Sequence, residues 1–308
     1  MARSIILGVV GDSAAGKTTI TRGLVGVLGE DNVTHVCTDD YHKYDRRQRA
    51  ERSITPLHPE CNYLDIMAQH IGHLRAGDPF LKPVYQHVDG TFGPLLHIEP
   101  KQFAVVEGLL GYSTDEMRQL YDVRVYLNPP EELRRKWKVQ RDCSKRGYTT
   151  DQVLTELDKR EPDSEAFIRP QQQFADIVIS FLPGDKEHLD AEVVLRSSLQ
   201  HPELAKIIGD CKKSRIKVTE TDGELHLWIP GDLDAGPAAE IEEQIWRGLH
   251  FASHLRTERL GQLQLADGMV RSESLALIQL LVLYHLFTAT ASVALGGSGT
   301  RVPEPAAS

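Results

Sequence analysis

The stretch GDSAAGKTTITRGL, residues 11–24, directly follows the apolar run IILGVV, residues 5–10. Its first eight residues fit the pattern G-x-x-x-x-G-K-[ST] between a predicted buried strand and a predicted helix. In that setting the glycines let the backbone curl, so that successive N–H groups point at phosphate oxygens beside the positive end of the helix dipole. The stretch therefore predicts a phosphate-binding loop, or P-loop.

Individual side chains in this loop have predictable tasks. Lys17 reaches the β- and γ-phosphates of a nucleoside triphosphate, and the hydroxyl of Thr18 can ligate Mg²⁺. The residues predicted to bind the nucleotide are Gly11, Asp12, Ser13, Ala14, Ala15, Gly16, Lys17, Thr18 and Thr19. Switches, motors and small-molecule kinases all share such a loop, so the phosphate acceptor must be inferred from other residues.

The bulk composition limits the partners that the chain can have. Of its 308 residues 41% are hydrophobic, which is enough for one large core or two unequal ones. The formal net charge is -9 at pH 7. The surface as a whole is therefore expected to repel nucleic acid and anionic membranes, and neither is predicted as a partner.

The apolar segments and the cysteines favour a cytoplasmic protein. The N-terminus is interpreted as a first strand and not a signal peptide, because its apolar stretch is short and no small-residue cleavage site follows. The most apolar segment, residues 275–286, is shorter than the roughly 20 residues of a membrane span and is predicted to be a buried helix. The four cysteines form no CxxC pair, which argues against a disulfide framework or a zinc site.

Apolar runs typical of buried parallel strands recur in the first 180 residues, with helical patterns between several of them. The predicted strands are residues 4–10, 33–37, 103–106, 123–127 and 176–181. The predicted helices are residues 17–28, 64–74, 130–146 and 151–160, with Pro130 at the first helical position of the third. This alternation predicts an α/β fold of the P-loop NTPase type, with a mostly parallel sheet flanked by helices.

The pattern changes after residue 184. Residues 215–218 and 224–229 alternate and are separated by the turn signal Thr221-Asp222-Gly223, which predicts an antiparallel hairpin, and helical patterns follow at residues 238–249 and 274–288. Three regions are predicted: a kinase core at 1–184, a C-terminal α+β extension at 185–295 packed on it, and a flexible tail at 296–308. The added strands either extend the sheet or form a small second lobe.

A polar segment with candidate catalytic residues, CTDDYHKYDRRQRAERS, includes the end of the predicted second strand and the residues after it. Open α/β sheets place their ligand crevice at such strand ends. A kinase acting on a hydroxyl needs a carboxylate to accept the proton, and an anionic acceptor needs fixed cations. Either Asp39 or Asp40 could be the base, with His42 and Arg46 helping to supply the charge. The alternative is an exposed polar loop.

The predicted helix at residues 130–146 is basic in an otherwise acidic protein. At 100° per residue, Arg134, Lys138 and Arg141 lie within about 60° of one another. Like charges crowded on one face destabilise an isolated helix, and an anionic ligand would offset their repulsion. We interpret residues 130–170 as a basic helical lid that supplies cations to the transferring phosphoryl group and excludes water. A solvated surface is the alternative for Arg134.

Together these segments resemble the phosphoribulokinase/uridine kinase family of P-loop kinases, and phosphoribulokinase within it. The resemblance rests on Asp39-Asp40-Tyr41-His42 with Arg46, Lys82-Pro83-x-Tyr85-x-His87, Val105-Val106-Glu107-Gly108-Leu109, and Trp137-Lys138-x-Gln140-Arg141-Asp142 with Arg146. Two later segments, residues 170–176 and 274–285, extend it to about residue 290.

The resemblance implies an activity and a role for individual residues. The chain would use ATP and Mg²⁺ to phosphorylate the C1 hydroxyl of D-ribulose 5-phosphate, giving ribulose 1,5-bisphosphate and ADP. The implied catalytic residues are Asp39 as general base, Lys17 and Arg141. The implied substrate-binding residues are His42, Arg46, Tyr85, His87, Lys138, Arg141 and Arg146. The implied metal site consists of Thr18, Glu107 and Asp142, with a helix cap or a salt bridge as the alternative role of Glu107.

The chain departs from the light-regulated members of this family in its cysteines. Those enzymes carry a cysteine inside the P-loop, where this chain has Ala14 and Ala15, and a C-terminal cysteine pair that docks a dehydrogenase. Beyond Cys143 the chain has only Cys211. These departures imply an enzyme without a thiol switch and without a cysteine-dependent regulatory complex. The resemblance itself implies a homodimer or larger homo-oligomer.

Two other functions stay open from the sequence. One is a related kinase that acts on a nucleoside, as uridine kinase does, or on another sugar phosphate. The other is a nucleotide-binding regulatory protein without catalysis. His42, Arg46 and the basic helix favour an anionic acceptor. Asp39 argues against a pure binding protein, because binding alone requires no proton acceptor.

Overall fold

The computed structural model of the chain describes residues 3–185, 188–201, 203–249, 252, 255, 259–265 and 268–301. Two compact units are present. The first comprises Met1–Lys17 and Val33–Ala175, and the second comprises Thr18–Asn32 and Asp176–Ser308. The short segment Thr18–Asn32 thus belongs with the C-terminal part of the chain, from which it is distant in sequence.

The strands are β1 Ile5–Gly11, β2 Val33–Cys37, β3 Phe80–Lys82, β4 Tyr85–Gln86, β5 Thr91–Phe92, β6 Leu96–Ile98, β7 Phe103–Gly108, β8 Val123–Leu127, β9 Ile177–Pro183, β10 Leu189–Leu195, β11 Lys217–Thr221, β12 Glu224–Ile229, β13 Gln262–Leu265 and β14 Gly268–Arg271. The helices are α1 Lys17–Leu28, α2 Arg46–Glu51, α3 Leu64–Ala76, α4 Asp115–Leu120, α5 Glu131–Arg146, α6 Thr150–Asp163, α7 Leu204–Asp210, α8 Ala235–Gly248 and α9 Glu273–Ala294.

The first unit contains a parallel sheet in the order β8-β1-β7-β2. Strands β1, β7 and β8 are buried along their whole length, as the continuous apolar runs of a parallel sheet require. Glu107 lies in register with Val9 on one side and Cys37 on the other. Because parallel strands end at the same edge, the residues that follow β1, β2 and β7 meet there. The predicted α/β fold class is confirmed.

Two short antiparallel ribbons, β3-β6 and β4-β5, precede β7 in the first unit. The sequence does not predict them, because strands of two or three residues are too short for a period-2 pattern to emerge. Helix α5 ends at Gly147, whose φ of 71° favours glycine. Its N-cap is Pro130, so the predicted position of this proline was wrong by one residue.

The second unit contains antiparallel strands in the order β9-β10-β12-β11. The predicted hairpin is confirmed: β11 and β12 are joined by Asp222 and Gly223, whose φ values of 53° and 79° fit the primed turn that Asp-Gly favours. In the predicted tail, Arg301 forms an isolated bridge with Leu199, and residues 302–308 lie outside the described residues.

Helix α9 is apolar on all sides and lies within the second unit. Its buried Gln279 donates to the carbonyl oxygens of Thr19 and Ile20, at 3.0 and 3.3 Å, and accepts from the Gly261 amide at 2.8 Å. Of the described helices, α9 is long and apolar enough to cross a membrane by length and composition, but 67% of its most apolar window is buried inside the protein. A helix buried in a protein core can meet the same criteria of length and composition.

Candidate active site

The P-loop connects β1 to α1 through backbone conformations that few residues adopt. Gly11 and Gly16 have φ values of 155° and 97°, and a Cβ on Gly11 would lie 2.6 Å from the Leu127 carbonyl oxygen. Ala14 has a φ of 67°, in the left-handed region. This region costs a residue with a Cβ roughly 1 kcal/mol. Such strain typically marks a functional loop, and alternating left- and right-handed residues make anion-binding nests of N–H groups.

Lys17 brings positive charge to this loop. Its ammonium group donates to the carbonyl oxygens of Gly11 and Asp12, at 2.7 and 2.8 Å. Desolvation lowers the pKa of Lys17, and the charges of Asp39 and Glu107 oppose that shift. The predicted phosphate-binding lysine therefore lies near the carboxylates that follow β2 and end β7.

Asp39 and Asp40 are adjacent in a 3-10 turn, Thr38–Tyr41, but have different surroundings. Both carboxylate oxygens of Asp40 are occupied: one accepts from the ammonium group of buried Lys82, the other from the Tyr85 amide at 2.8 Å. Asp39 Oδ1 is buried and has no hydrogen-bond partner among the described residues. A buried unsatisfied oxygen is costly unless a ligand satisfies it. The arrangement leaves Asp39 available and commits Asp40 to structure.

Three of the predicted acceptor-binding residues form one aromatic cluster. The ring of Tyr85 contacts the ring of His42 edge-on at 4.9 Å and that of His87 at 5.1 Å between centroids. His42 is buried, and its Nδ1 donates to Asn62 Oδ1 at 2.7 Å, because an amide oxygen can only accept. Desolvation lowers the pKa of His42, and the nearby charge of Asp39 opposes this. A neutral His42 therefore has Nε2 free to accept a hydrogen bond.

Arg46 begins α2 and supports the tip of the β4-β5 ribbon. Its amide donates to the Gly90 carbonyl oxygen at 2.8 Å, and its Nη2 donates to the His87 carbonyl oxygen at 2.6 Å. Arg46 is exposed. The remaining N–H groups of its guanidinium can bind a ligand.

The basic helix α5 faces the P-loop. Arg134, which is 4% exposed, donates to the Ser13 carbonyl oxygen at 3.2 Å, and Arg141 donates to the Ser13 hydroxyl at 3.3 Å. A solvated surface is therefore excluded for Arg134. The pKa of His87 is lowered first by desolvation and then by the charges of Arg146 and Arg141, against the opposing charge of Asp39. The helix thus lies close to both the P-loop and the acceptor cluster.

Asp142 is surrounded by the cations of its own helix. Its carboxylate accepts from the Lys138 ammonium group and from Arg141 Nε at 2.9 Å, and Arg146 lies 3.6 Å away. Burial alone would raise the pKa of Asp142, but the bonds from Lys138 and Arg141 bring it below its usual range. In this arrangement the carboxylate acts as the counterion of the basic helix. Its ligation of Mg²⁺ stays a prediction.

Glu107, the other carboxylate of the predicted metal site, is the second-last residue of β7 and 9% exposed. Its Oε1 lies 3.4 Å from His35 Nε2. No group of three or more His, Cys, Asp or Glu side chains in the described part of the chain could hold a metal ion. Mg²⁺ in kinases needs no such group, because phosphates and waters supply most of its ligands. Thr18 and Thr19 belong to the second unit, where Thr18 is exposed.

Three functional neighbours were missed by the sequence analysis. Arg49 is buried and donates to the Tyr85 hydroxyl, Asn62 holds His42, and Ser164 donates to Asp12 Oδ2 at 2.5 Å. Arg49 is one of four arginines within residues 46–52, and the sequence does not distinguish this buried arginine from the three exposed ones. Ser164 follows Pro162, which lies inside α6 and is a signal of irregular backbone; a π-helical turn, Ser164–Ile168, begins there.

Lys138 should make activity sensitive to alkaline pH. Burial lowers its pKa to about 8, although Asp142 opposes the shift. The ammonium form attracts phosphate oxygens and the neutral amine does not, so activity should fall as pH rises through about 8. In Lys138→Arg, whose side chain stays charged, this decrease should disappear from the kcat/KM profile. An unchanged profile would show that another group titrates.

The profile of the Phosphoribulokinase / Uridine kinase family matches residues 6–187, more than half of the chain. The chain belongs to this family. The resemblance inferred from the sequence motifs is thereby confirmed. The chain is therefore a P-loop kinase of this family, and the matched residues 6–187 include the P-loop.

Several members of the phosphoribulokinase/uridine kinase family are similar over part of the chain. A phosphoribulokinase of Synechocystis sp. is 41% identical over 181 residues, 59% of this chain and 54% of that protein. A uridine kinase of Oceanobacillus iheyensis is 29% identical over 196 residues, 62% of this chain and 92% of that protein. The chain spans about half the length of the first phosphoribulokinases it matches.

The fold resembles that of a phosphoribulokinase from Rhodobacter spheroides. The two structures superpose with a TM-score of 0.61 at 16% sequence identity, over 83% of this chain and 99% of the other. At this identity the likeness establishes the fold, an α/β architecture, and leaves the acceptor to be inferred from the site.

Proposed function

We propose that the chain is an ATP-dependent phosphoribulokinase, which transfers the γ-phosphoryl group to the C1 hydroxyl of D-ribulose 5-phosphate. The observation that carries this proposal is the buried Oδ1 of Asp39, which has no hydrogen-bond partner in the described part of the chain. In support, the charge of Asp39 raises the pKa of Lys17 in the P-loop and the pKa values of His42 and His87, in each case against desolvation. A proton acceptor that interacts with both a phosphate-binding lysine and the acceptor histidines suits phosphoryl transfer to an alcohol, and the exposed guanidinium of Arg46 suits an anionic one.

Different residues of the site carry out different parts of the phosphoryl transfer. Asp39 accepts the proton of the attacking hydroxyl and orients that oxygen toward the γ-phosphorus. Lys17 and Arg141, both in contact with the P-loop, neutralise the charge that spreads over the transferring phosphoryl group. Arg46 and the cations of α5 bind the acceptor's phosphate, whereas neutral His42 accepts a hydrogen bond from a hydroxyl of the acceptor through Nε2.

The loop also fits a magnesium nucleotide. Its left-handed Ala14 and the beginning of α1 at Lys17 are features of an anion-binding loop, and the carboxylate of Glu107 is an oxygen ligand of the kind that Mg²⁺ prefers. When bound, Mg²⁺ would withdraw charge from the phosphates of the nucleotide.

The deciding experiment measures ADP release from ATP with ribulose 5-phosphate, with uridine and without acceptor, side by side. We expect release with ribulose 5-phosphate alone. Equal or greater release with uridine would identify a nucleoside kinase, and ATP binding without release under any condition would indicate a regulatory nucleotide-binding protein.

Oxidation is expected to leave most of the activity intact. All four cysteines are free thiols, and Ala14 and Ala15 occupy the tip of the P-loop. Desolvation, followed by the charges of Asp39 and Asp40, raises the pKa of the Cys37 thiol, so little of the reactive thiolate forms. Activity should be measured after diamide treatment, with Cys143→Ser as a control for the partly exposed thiol on α5. A loss that dithiothreitol reverses in both proteins would contradict the prediction.

A further inference from the structure

The P-loop contains a buried carboxylate of its own. Asp12 is the second residue of the loop and is 6% exposed. Its backbone carbonyl oxygen accepts a hydrogen bond from the Lys17 ammonium group at 2.8 Å. Desolvation lowers the pKa of Lys17, and the charge of Asp12 is one of those that oppose this shift. A negative charge this close to the predicted phosphate-binding lysine repels the phosphates of a nucleotide unless other groups hold and neutralise it.

The Asp12 carboxylate is held by the turn that follows α6. Its Oδ2 accepts a hydrogen bond from the Ser164 hydroxyl at 2.5 Å. Ser164 is 1% exposed and is the first residue of the π-helical turn Ser164–Ile168. A hydrogen bond to an ionised acceptor is roughly twice as strong as one between neutral groups. The contact therefore binds the carboxylate firmly to this turn.

Arg169 is the second candidate for holding Asp12, and the distances show that it is the weaker one. Its Nε lies 3.9 Å from Asp12 Oδ2. Its Nη2 lies 2.5 Å from a carboxylate oxygen of Glu161 and 3.4 Å from one of Glu131. A guanidinium shared among several carboxylates attracts the most distant of them least. Ser164 is therefore the main partner of the Asp12 carboxylate, and Arg169 adds a weaker attraction.

The turn that carries Ser164 is fastened at both ends. At its start, Asp163 Oδ2 accepts from the Thr55 hydroxyl at 2.5 Å. At its end, the carbonyl oxygen of buried Ile168 accepts from the Tyr126 hydroxyl of β8 at 3.4 Å. Ser164 thus presents its hydroxyl from a fixed backbone, and Asp12 meets a preorganised partner.

We infer that Ser164 is a positioning residue of the nucleotide site: it holds the Asp12 carboxylate on the side of the π-helical turn and keeps that negative charge away from the bound phosphates. Without the Ser164 hydroxyl, the carboxylate turns toward the N–H groups of the loop and competes with phosphate oxygens for them. This inference rests on the proposed function for the nucleotide alone and is independent of the acceptor.

The test is a double-mutant cycle with Ser164→Ala, Asp12→Asn and the double variant. The Kd of the non-hydrolysable analogue adenylyl imidodiphosphate with Mg²⁺ is measured by isothermal titration calorimetry. Ser164→Ala should raise this Kd about tenfold, the factor that corresponds to one net hydrogen bond. In the Asp12→Asn background the same change should alter the Kd by less than about twofold, because a neutral amide does not repel phosphates. Asp12→Asn alone should bind the analogue at least as tightly as the wild type.

Three results of this cycle would overturn the inference. The first is an unchanged Kd in Ser164→Ala. The second is an equal increase in both backgrounds, which is the result expected if Ser164 only packs the turn. The third is weaker binding by Asp12→Asn, which would show that the charge itself assists binding. If urea denaturation shows that Ser164→Ala does not fold, Ser164→Cys replaces it in the cycle, since a thiol has a similar size but is a weaker donor.

Thr55→Val is the matched control. It removes a hydroxyl that donates to a carboxylate at the same distance of 2.5 Å, but at the adjacent Asp163 and not at Asp12. It loosens the same turn and leaves the Asp12 contact in place, so the Kd of the analogue should stay within about twofold of the wild type. An increase as large as that in Ser164→Ala would assign the effect to the turn and overturn the inference.

Binding and turnover together separate this inference from the proposed function. If the wild type bound the analogue but released no ADP with ribulose 5-phosphate, the proposed function would be wrong, and a background-dependent effect of Ser164→Ala would still support the inference. Equal binding by the wild type and Ser164→Ala, with normal turnover, would refute the inference alone. No binding of the analogue by the wild type would refute both.

Discussion

Asp39→Asn is expected to lower kcat by about 10³-fold, within the range that general-base catalysis contributes, while the KM for ATP changes little. Asparagine keeps the size of the side chain but cannot accept the hydroxyl proton. Because Asp39 Oδ1 has no hydrogen-bond partner among the described residues, the substitution breaks no hydrogen bond of that oxygen there, and the protein should stay folded. Single-turnover kinetics with saturating ATP and ribulose 5-phosphate measure the effect.

The neighbouring Asp40→Asn is the control. Its carboxylate holds the ammonium group of Lys82, which is only 3% exposed, and the amide of Tyr85. Removing one member of a buried ion pair costs about 3–5 kcal/mol, so this variant should lose stability in urea denaturation. If Asp39→Asn turned over at a near-normal rate while a folded Asp40→Asn did not, the two roles would be reversed.

Lys17→Met should lower kcat/KM for ATP by about 10³-fold, the upper end of the effect of removing one donor to a developing negative charge. The ammonium group donates hydrogen bonds to the Gly11 and Asp12 carbonyl oxygens of the P-loop. Lys17 is therefore the cation that the loop itself provides for the phosphates. Calorimetric titration with ATP separates lost binding from lost turnover. Lys159→Met, an exposed lysine of α6, provides the control and should behave as wild type.

If Lys17→Met kept ATP turnover within tenfold of the wild type, the prediction would be wrong, and we would assign phosphate binding to the cations of α5 instead. Arg134 and Arg141 are the residues to examine next in that event, since both donate to Ser13.

Local patterns sufficed for much of the fold. The strands Val33–Cys37 and Val123–Leu127 have the predicted bounds, because apolar residues predominate in both. The P-loop was equally readable, since its glycines, lysine and threonine are consecutive in sequence. Motifs of this kind carry their geometry within a few residues.

Contacts between distant segments were not readable. The different roles of Asp39 and Asp40 depend on Lys82 and Tyr85, more than forty positions away in the chain. These residues donate hydrogen bonds to the carboxylate of Asp40 and none to Asp39 Oδ1. Thr18–Asn32 likewise belongs to the second unit, in which Gln279 donates a hydrogen bond to the Thr19 carbonyl oxygen of α1.

The sequence by itself determined that this chain has a nucleotide-binding α/β fold with acidic and basic residues at its strand ends, because those features are written in consecutive residues. Only the tertiary structure decided which charges are already neutralised and which remain for a ligand. Asp40 and Asp142 are compensated by Lys82 and by the cations of α5, whereas Asp39 Oδ1 and the guanidinium of Arg49 have no partner of opposite charge among the described residues. Charge compensation depends on distance in space, and distance in space is what folding sets.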